Sequence, residues 1–300
     1  MTTSTEPLAR PSPGRRLAAG LYRRPRLQLG LALAPPVAWL VIAYLGSLAI
    51  LFVNSFWRLD AFTGAIVYEP GLQNFERLVS TEVYRTITVR TLWIAAAVTV
   101  TDAIIAFPIA YYMARVASPR VRGWLVVAIL MPLWSSYLVK VFAWRIILQD
   151  AGPLNAVLRP FGLEGPGFTE GEIRLWICFS YLWLPYMILP IFAGLERIPN
   201  SLLEASGDLG AHGWTTFRRV VLPLAFPSVV AGSIFTFSLT MGDYIAPNQL
   251  SSVQFIGNVV QANVGVAGDL PFAAAFALVP VVVMIVYLAV ARRLGAFESL

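Results

Sequence analysis

The 300-residue chain is 58% hydrophobic and only 13% charged, with a mean hydropathy of +0.70 and a formal net charge of +6. A water-soluble domain carries about 25% charged residues, so this composition excludes one and points to a chain that lives in a bilayer. The positive charge is then read by its position along the chain, not as a nucleic-acid footprint.

Residues 1–27 hold Pro7, Pro11, Pro13 and six arginines with little apolar content, which predicts a disordered tail. Six apolar segments follow, at about 28–54, 91–113, 124–148, 173–195, 225–246 and 272–291. Each approaches or exceeds the roughly 20 residues that a helix needs to cross about 30 Å of hydrocarbon. The first is too long for the apolar core of a secretory signal, and no small-x-small cleavage site follows it. It is read as a retained span.

Orientation follows from arginine placement. Arg10, Arg15, Arg16, Arg23, Arg24 and Arg26 precede the first segment, and Arg115, Arg120 and Arg122 separate the second from the third. Arg197, Arg218 and Arg219 lie in the 196–224 loop, and Arg292 and Arg293 follow the last segment. With six spans, all of these fall on one side. The expected fold is an all-α polytopic membrane protein of six transmembrane helices, with both termini, including a 294–300 tail, and the 197–223 loop in the cytoplasm.

In the first outward loop, 55–90, Leu72, Phe75, Leu78 and Val79 recur at helical spacing and predict a short amphipathic helix on the outer interface. Asp102 falls near the middle of the second segment. An ionisable group there costs roughly 3 kcal/mol to insert, so it is expected to face the bundle interior or a wet cavity. It either lines a path for a cationic substrate or makes a structural hydrogen bond to a neighbouring helix. Pro108 is expected to kink the same helix.

The third segment carries Trp134, Ser136, Lys140, the only lysine in the chain, and Trp144 beside Arg145. Lys140 and Arg145 either snorkel to the outer interface or face a solute. The Gly- and Pro-rich stretch 149–172 is the second outward loop. Pro185 and Pro190 predict a bent or broken fourth helix. Cys178, the one cysteine, lies inside that segment, which leaves no disulfide or metal cluster.

The hydrophilic stretch 204–223 is patterned as a folded unit. Ser201 stands three residues before Glu204, the spacing of a capping box, so a short helix is expected from about Leu202 to Leu209, stopped by Gly210. A second piece, Thr215–Leu222, is expected to run up to Pro223, where the chain turns toward the fifth segment. That segment ends in Gly242-Asp243-Tyr244 and Pro247, where Asp243 and Tyr244 either bind an alkylammonium by charge and ring face or terminate the helix. Asp269 is expected to cap the sixth helix.

Glu204-Ala205, Gly210 six residues after the Glu, and Val220-x-Leu222-Pro223 resemble the loop of binding-protein-dependent ABC importer permeases of type I. That loop reads Glu-Ala-Ala, three residues, Gly, nine residues, Ile-x-Leu-Pro; Ser206 replaces the second Ala and Val220 the Ile. The likeness covers about residues 28–293. It implies that the loop, with Ser201, Glu204, Ala205, Ser206, Gly210, Val220, Leu222 and Pro223, is a coupling helix that docks on a cytoplasmic ATPase. It implies four further components: a second, homologous permease in a heterodimer, two ATPase subunits, and an extracytoplasmic substrate-binding protein. The localisation implied is the bacterial inner membrane. The stretch Pro132-x-Trp134 through Asn155 and the Gly242-Asp243-Tyr244 turn are similar to the polyamine-type subgroup, with Lys140 where that subgroup has Arg. This implies a solute such as spermidine or putrescine and a path lined by Asp102, Trp134, Ser136, Lys140, Trp144, Asp243 and Tyr244.

The chain lacks the Gly-Lys of a phosphate-binding loop, so ATP and Mg²⁺ would be used by the partner ATPase and no cofactor by this chain. His212, the only histidine, lies in the 204–223 stretch, which excludes a metal site or a Ser-His-Asp set within the membrane. No catalytic set is evident, so the chain is read as a transport subunit and not an enzyme. Two alternatives stand: the same role for another amine, a metal ion or an anion, and an ion-coupled carrier that titrates Asp102.

Overall fold

A computed structural model describes residues 25–60, 62–162 and 171–293. The tails expected at 1–27 and 294–300 lie outside them, except that residues 25–27 open the first helix, and so does the 163–170 part of the Gly- and Pro-rich loop. The chain divides into two compact units between Val53 and Asn54, inside the first apolar segment. The first unit holds α1 (Pro25–Trp39), a π-helical stretch at Leu40–Leu45, and most of α2 (Gly46–Asn54), which together give an unbroken apolar helix, Gln28–Asn54.

The second unit opens with a small hairpin, β1 (Arg58–Leu59) antiparallel to β2 (Ile66–Val67), with Arg58 opposite Val67. Asp60 closes its turn by accepting from the Thr63 and Phe62 amides at 3.0 and 2.8 Å. These two bonds hold its carboxyl below the usual carboxylate range. The amphipathic helix follows as α3 (Gln73–Ser80), with Leu72 and Val79 exposed. Arg77 ties it to the far end of the chain, 3.1 Å from Asp269 and 4.2 Å from the Phe272 ring.

Three long helices form the centre: α4 (Glu82–Tyr111, extended by a π turn at Tyr112–Val116), α8 (Gly171–Arg197) and α11 (Leu222–Gly242). Lipid tails are as apolar as the side chains, so close packing and not water exclusion must hold them together. Small residues permit that approach. A Cβ on Gly232 of α11 would stand 2.8 Å from Met187 Sδ and 3.1 Å from its Cα on α8. One buried cluster, with Ala106, Ala110, Met187, Ile191 and Ala225, fills the half nearer residue 221; another, with Val98, Val141, Leu175, Phe179 and Trp183, fills the other half.

The third apolar segment is not one straight helix. It is α5 (Pro119–Trp134) and α6 (Tyr137–Ile147), bent by 93° at Ser135-Ser136, where the backbone becomes extended. Conversely, the expected break in the fourth segment does not occur: α8 runs as one helix through Pro185 and Pro190. Its neighbours α4 and α11 enclose it, the situation in which membrane helices tolerate proline.

Beyond α6 come α7 (Pro153–Leu158) with a 3₁₀ turn at Arg159–Phe161, and, after α8, α9 (Asn200–Asp208) and α10 (Gly213–Thr216). The Pro223 turn does not occur either. A π turn at Phe217–Val221 joins α10 directly to α11, and Pro223 falls in the first turn of α11, where a missing N–H costs little. Short helices α12 (Ile245–Leu250) and α13 (Ile256–Ala262), a π turn at Asn263–Ala267 and α14 (Leu270–Arg293) complete the chain. Asp269 caps α14, accepting from the Phe272 amide at 3.1 Å. Among the described residues, five helices are long and apolar enough to cross a membrane, or six if the bent α5–α6 pair is one span.

Candidate functional site

The 200–223 region is a helix-turn-helix at one end of the bundle. Its first helix starts at Asn200 behind Pro199, two residues earlier than a Ser201 cap would place it, and the Ser201–Glu204 capping box is not formed. Proline fixes φ near the value the helix needs, so Pro199 starts it without a side-chain cap. Glu204 is therefore free of a local task and points into solvent, as do Ser201 and Ala205. The end of the helix is a complete Schellman motif. Gly210 takes φ +77°, its amide bonds Gly207 O at 2.8 Å, and the Ala211 amide bonds Ser206 O at 3.1 Å.

Ser206, the departure from the family's second Ala, hydrogen-bonds Thr216 at 2.9 Å and ties α9 to α10. Ala205, Ser206, Gly210 and Val220 line one groove of about 520 Å³ with His212 and Arg219. Ser201, Glu204, Leu222 and Pro223 stand outside it, all exposed. Two large apolar side chains flank the groove in the open: Leu209 is 89% and Trp214 70% exposed.

What braces this unit was not singled out from the sequence. Arg115 donates to Asn200 Oδ1 at 2.8 Å and to the Leu195 and Ile198 carbonyls at 2.5 and 2.6 Å, so it closes the last turn of α8 and fixes the first residue of α9. Arg122 bonds Met113 O at 3.0 Å and pairs with Glu196 at 2.8 Å. Both arginines had been read only as charges that set orientation; their spacing of seven around the Ala117-Ser118 turn was the available signal.

The residues proposed to line a path fall in three places. Asp102 is 0% exposed between α4 and α8. The hydroxyl of Ser180 on α8 is its polar neighbour, and neither side chain completes a hydrogen bond of full geometry among the described residues.

Lys140, Ser136 and Trp134 gather at the α5–α6 elbow. Lys140 Nζ donates to the Pro132 carbonyl at 3.1 Å, and Ser135 Oγ donates to the same oxygen at 2.8 Å. A cation on a carbonyl of a helix's last turn complements its dipole. Trp134 is 82% exposed, Ser136 is exposed, and Trp144 packs on Tyr181 at 5.2 Å.

Asp243 and Tyr244 share a cleft of about 290 Å³ with Trp183. The Asp243 carboxylate caps α12 through the Ile245 and Ala246 amides at 2.8 and 2.9 Å, and it accepts the hydroxyl proton of Tyr137 from α6. Asp243 thus reaches the elbow through Tyr137, while Asp102 lies apart from both. Among the described residues, no three or more His, Cys, Asp and Glu side chains gather to hold a metal ion.

The comparisons with known proteins agree on one class. The "Inner membrane ABC transporter permease protein YdcU" of Escherichia coli K12 is 43% identical over 97% of each chain. The "Spermidine/putrescine transport system permease protein PotB" is 28% identical in Haemophilus influenzae, over 80% of this chain and 85% of that one. In Escherichia coli K12 it is 29% identical, over 83% and 90%. Among solved structures, a chain of a bacterial alginate ABC transporter, in complex with an alginate pentasaccharide-bound periplasmic protein, superposes with a TM-score of 0.70. It does so at 17% identity, over 93% of this chain and 97% of that one, and so shares the fold.

The family described as "Binding-protein-dependent transport system inner membrane component" matches residues 106–297, which include the Glu204 loop, the elbow and the Asp243 cleft. With its apolar helices, the chain is therefore a multi-pass protein of the inner membrane and not itself an enzyme. It belongs to the family of binding-protein-dependent inner-membrane transport components, as a permease subunit of an ABC importer.

Proposed function

We propose that this permease moves a small cation of the polyamine type, such as spermidine or putrescine, from an extracytoplasmic binding protein into the cytoplasm. The observation that carries the cation reading is the cleft in which the Asp243 carboxylate lies beside Tyr244 and Trp183, since a carboxylate with aromatic faces suits an alkylammonium. The PotB relatives support the same solute class. Lys140 and Arg145, the groups that would favour an anion, donate within the chain to Pro132 O and Gln249 Oε1. Another amine remains the second reading. Family membership replaces the ion-coupled carrier.

The Glu204 loop is proposed as the cytoplasmic docking point for one of two ATPase subunits, which would bind the ATP and Mg²⁺ themselves. A second, homologous permease would complete the path. The exposed Leu209 and Trp214 support docking, and the Arg115 bonds to Asn200 and to the end of α8 supply a stiff link from α9 into the bundle. Closure of the ATPase pair would then rock the spans as a body. The placement of Arg115, Arg122, Arg218 and Arg219 around this end supports a cytoplasmic orientation for it and for both termini.

The test is uptake of labelled spermidine and putrescine in cells carrying the whole transport system, with and without this chain. Uptake that requires the chain, and falls in Asp243→Ala, is expected. Glu204 is exposed and makes no side-chain bond among the described residues, so Glu204→Arg should leave membrane insertion normal and cut ATP-coupled uptake at least about tenfold, the effect of roughly 1.4 kcal/mol. ATPase association without polyamine uptake would retire the solute; normal uptake by Glu204→Arg would retire the docking point.

A further inference from the structure

Two cavities of opposite character share a wall where α8 ends. The first, about 370 Å³, runs between α8 and α11 and is lined by apolar side chains that include Pro190, Leu224, Pro227 and Ile234. The second, about 360 Å³, is lined by Arg115, Arg122, Arg197, Glu196 and Asn200. Arg197, Ile198 and Pro199 line both.

The charge in the polar cavity is unbalanced. Arg122 neutralises Glu196 at 2.8 Å. Arg115 spends its terminal nitrogens on neutral oxygens, and its buried Nε has no partner. Arg197 is exposed and makes neither an ion pair nor a side-chain hydrogen bond among the described residues. An apolar groove between two membrane-length helices therefore opens onto an arginine pocket at the end of α8.

We propose that this is a binding site for one anionic phospholipid, with an acyl chain in the α8–α11 groove and its phosphate between Arg197 and Arg115. A free anion would use the arginines but leave the groove without an occupant. A zwitterionic lipid would use the groove but carry no net charge to match. The site sits at the root of α9, on the residues that fix Asn200, so its occupancy would steady the Glu204 loop. It depends neither on the solute nor on what docks at that loop.

The test is native mass spectrometry of the full chain released from detergent. Phosphatidylglycerol and phosphatidylethanolamine with the same acyl chains are titrated separately, and inorganic phosphate forms a third arm. The expected result is preferential retention of phosphatidylglycerol, reduced about fivefold by Arg197→Gln and unchanged by Arg218→Gln, a basic residue outside both cavities. Ala193→Trp, which fills the groove, should abolish lipid retention. Equal retention of the two lipids would overturn the site, as would equal losses in the Arg197 and Arg218 variants. Phosphate that displaces the lipid would reassign the arginines to a free anion, and lipid that still binds Ala193→Trp would overturn the groove as the acyl-chain seat. Loss of the lipid when the chain is isolated with its partner subunits would give the groove to a protein neighbour instead.

Discussion

The α5–α6 pair and α8 both carry prolines in strongly apolar sequence, yet one is bent by 93° and the other runs through two prolines as a single helix. Proline content does not separate them: α5 has Pro132 inside it, α8 has Pro185 and Pro190. What differs is the surroundings of the backbone. α8 packs between α4 and α11, and Pro185 is buried, so the bundle holds the helix in one piece. At the elbow, Ser135 and Lys140 both supply a donor to the Pro132 carbonyl, which makes a break affordable there. A membrane helix breaks where side chains can satisfy the carbonyls a break exposes, and proline alone does not decide it.

Gly232→Leu should disturb this contrast most, from the α8 side. A Cβ at 232 already meets Met187 at 2.8 Å, and a larger side chain would force α8 and α11 apart. A loss of about 3 kcal/mol is expected, the upper part of the overpacking range, read as the denaturation midpoint of the purified protein in detergent.

Lys140→Met attacks the elbow. It removes a charge-assisted hydrogen bond and leaves the Pro132 carbonyl to Ser135 alone, for a loss of about 2 kcal/mol. Lys140→Arg should recover most of it, and equal losses in the two variants would mean that the lysine's packing, not its charge, holds the bend. The same denaturation assay reads both.

Pro185→Ala should do least. It regains one backbone hydrogen bond, about 1 kcal/mol, and opens a methyl-sized cavity that costs about the same, so the midpoint should stay within about 1 kcal/mol of wild type. A large gain would show that α8 is strained at Pro185 after all.

The Glu204 loop was the most legible part of the sequence. Gly210 was expected to stop a helix, and it does so at φ +77°. The amphipathic α3 and the Asp269 cap were legible for the same reason, since each depends on residues within a few positions of one another. The Ser201–Glu204 box was local too, but Pro199 competed for the same helix start and prevailed. Tyr137 and Trp183 were invisible as site residues. Their partners, Asp243 and Tyr244, lie far along the chain, and no spacing rule links them.

By itself the sequence determined that the chain crosses a membrane several times, that its arginines gather in alternate loops, and that a helix-turn-helix whose first helix stops at Gly210 interrupts the apolar run near residue 204. Each of these follows from composition over some twenty residues or from bonds between near neighbours. Tertiary structure alone decided that Asp102, on α4, is buried, that Asp243 is tied to α6, and that the third apolar segment breaks in two while the fourth runs as one helix. Those outcomes depend on which helices lie side by side and on which donors reach an exposed carbonyl, and both are set by packing across the whole bundle.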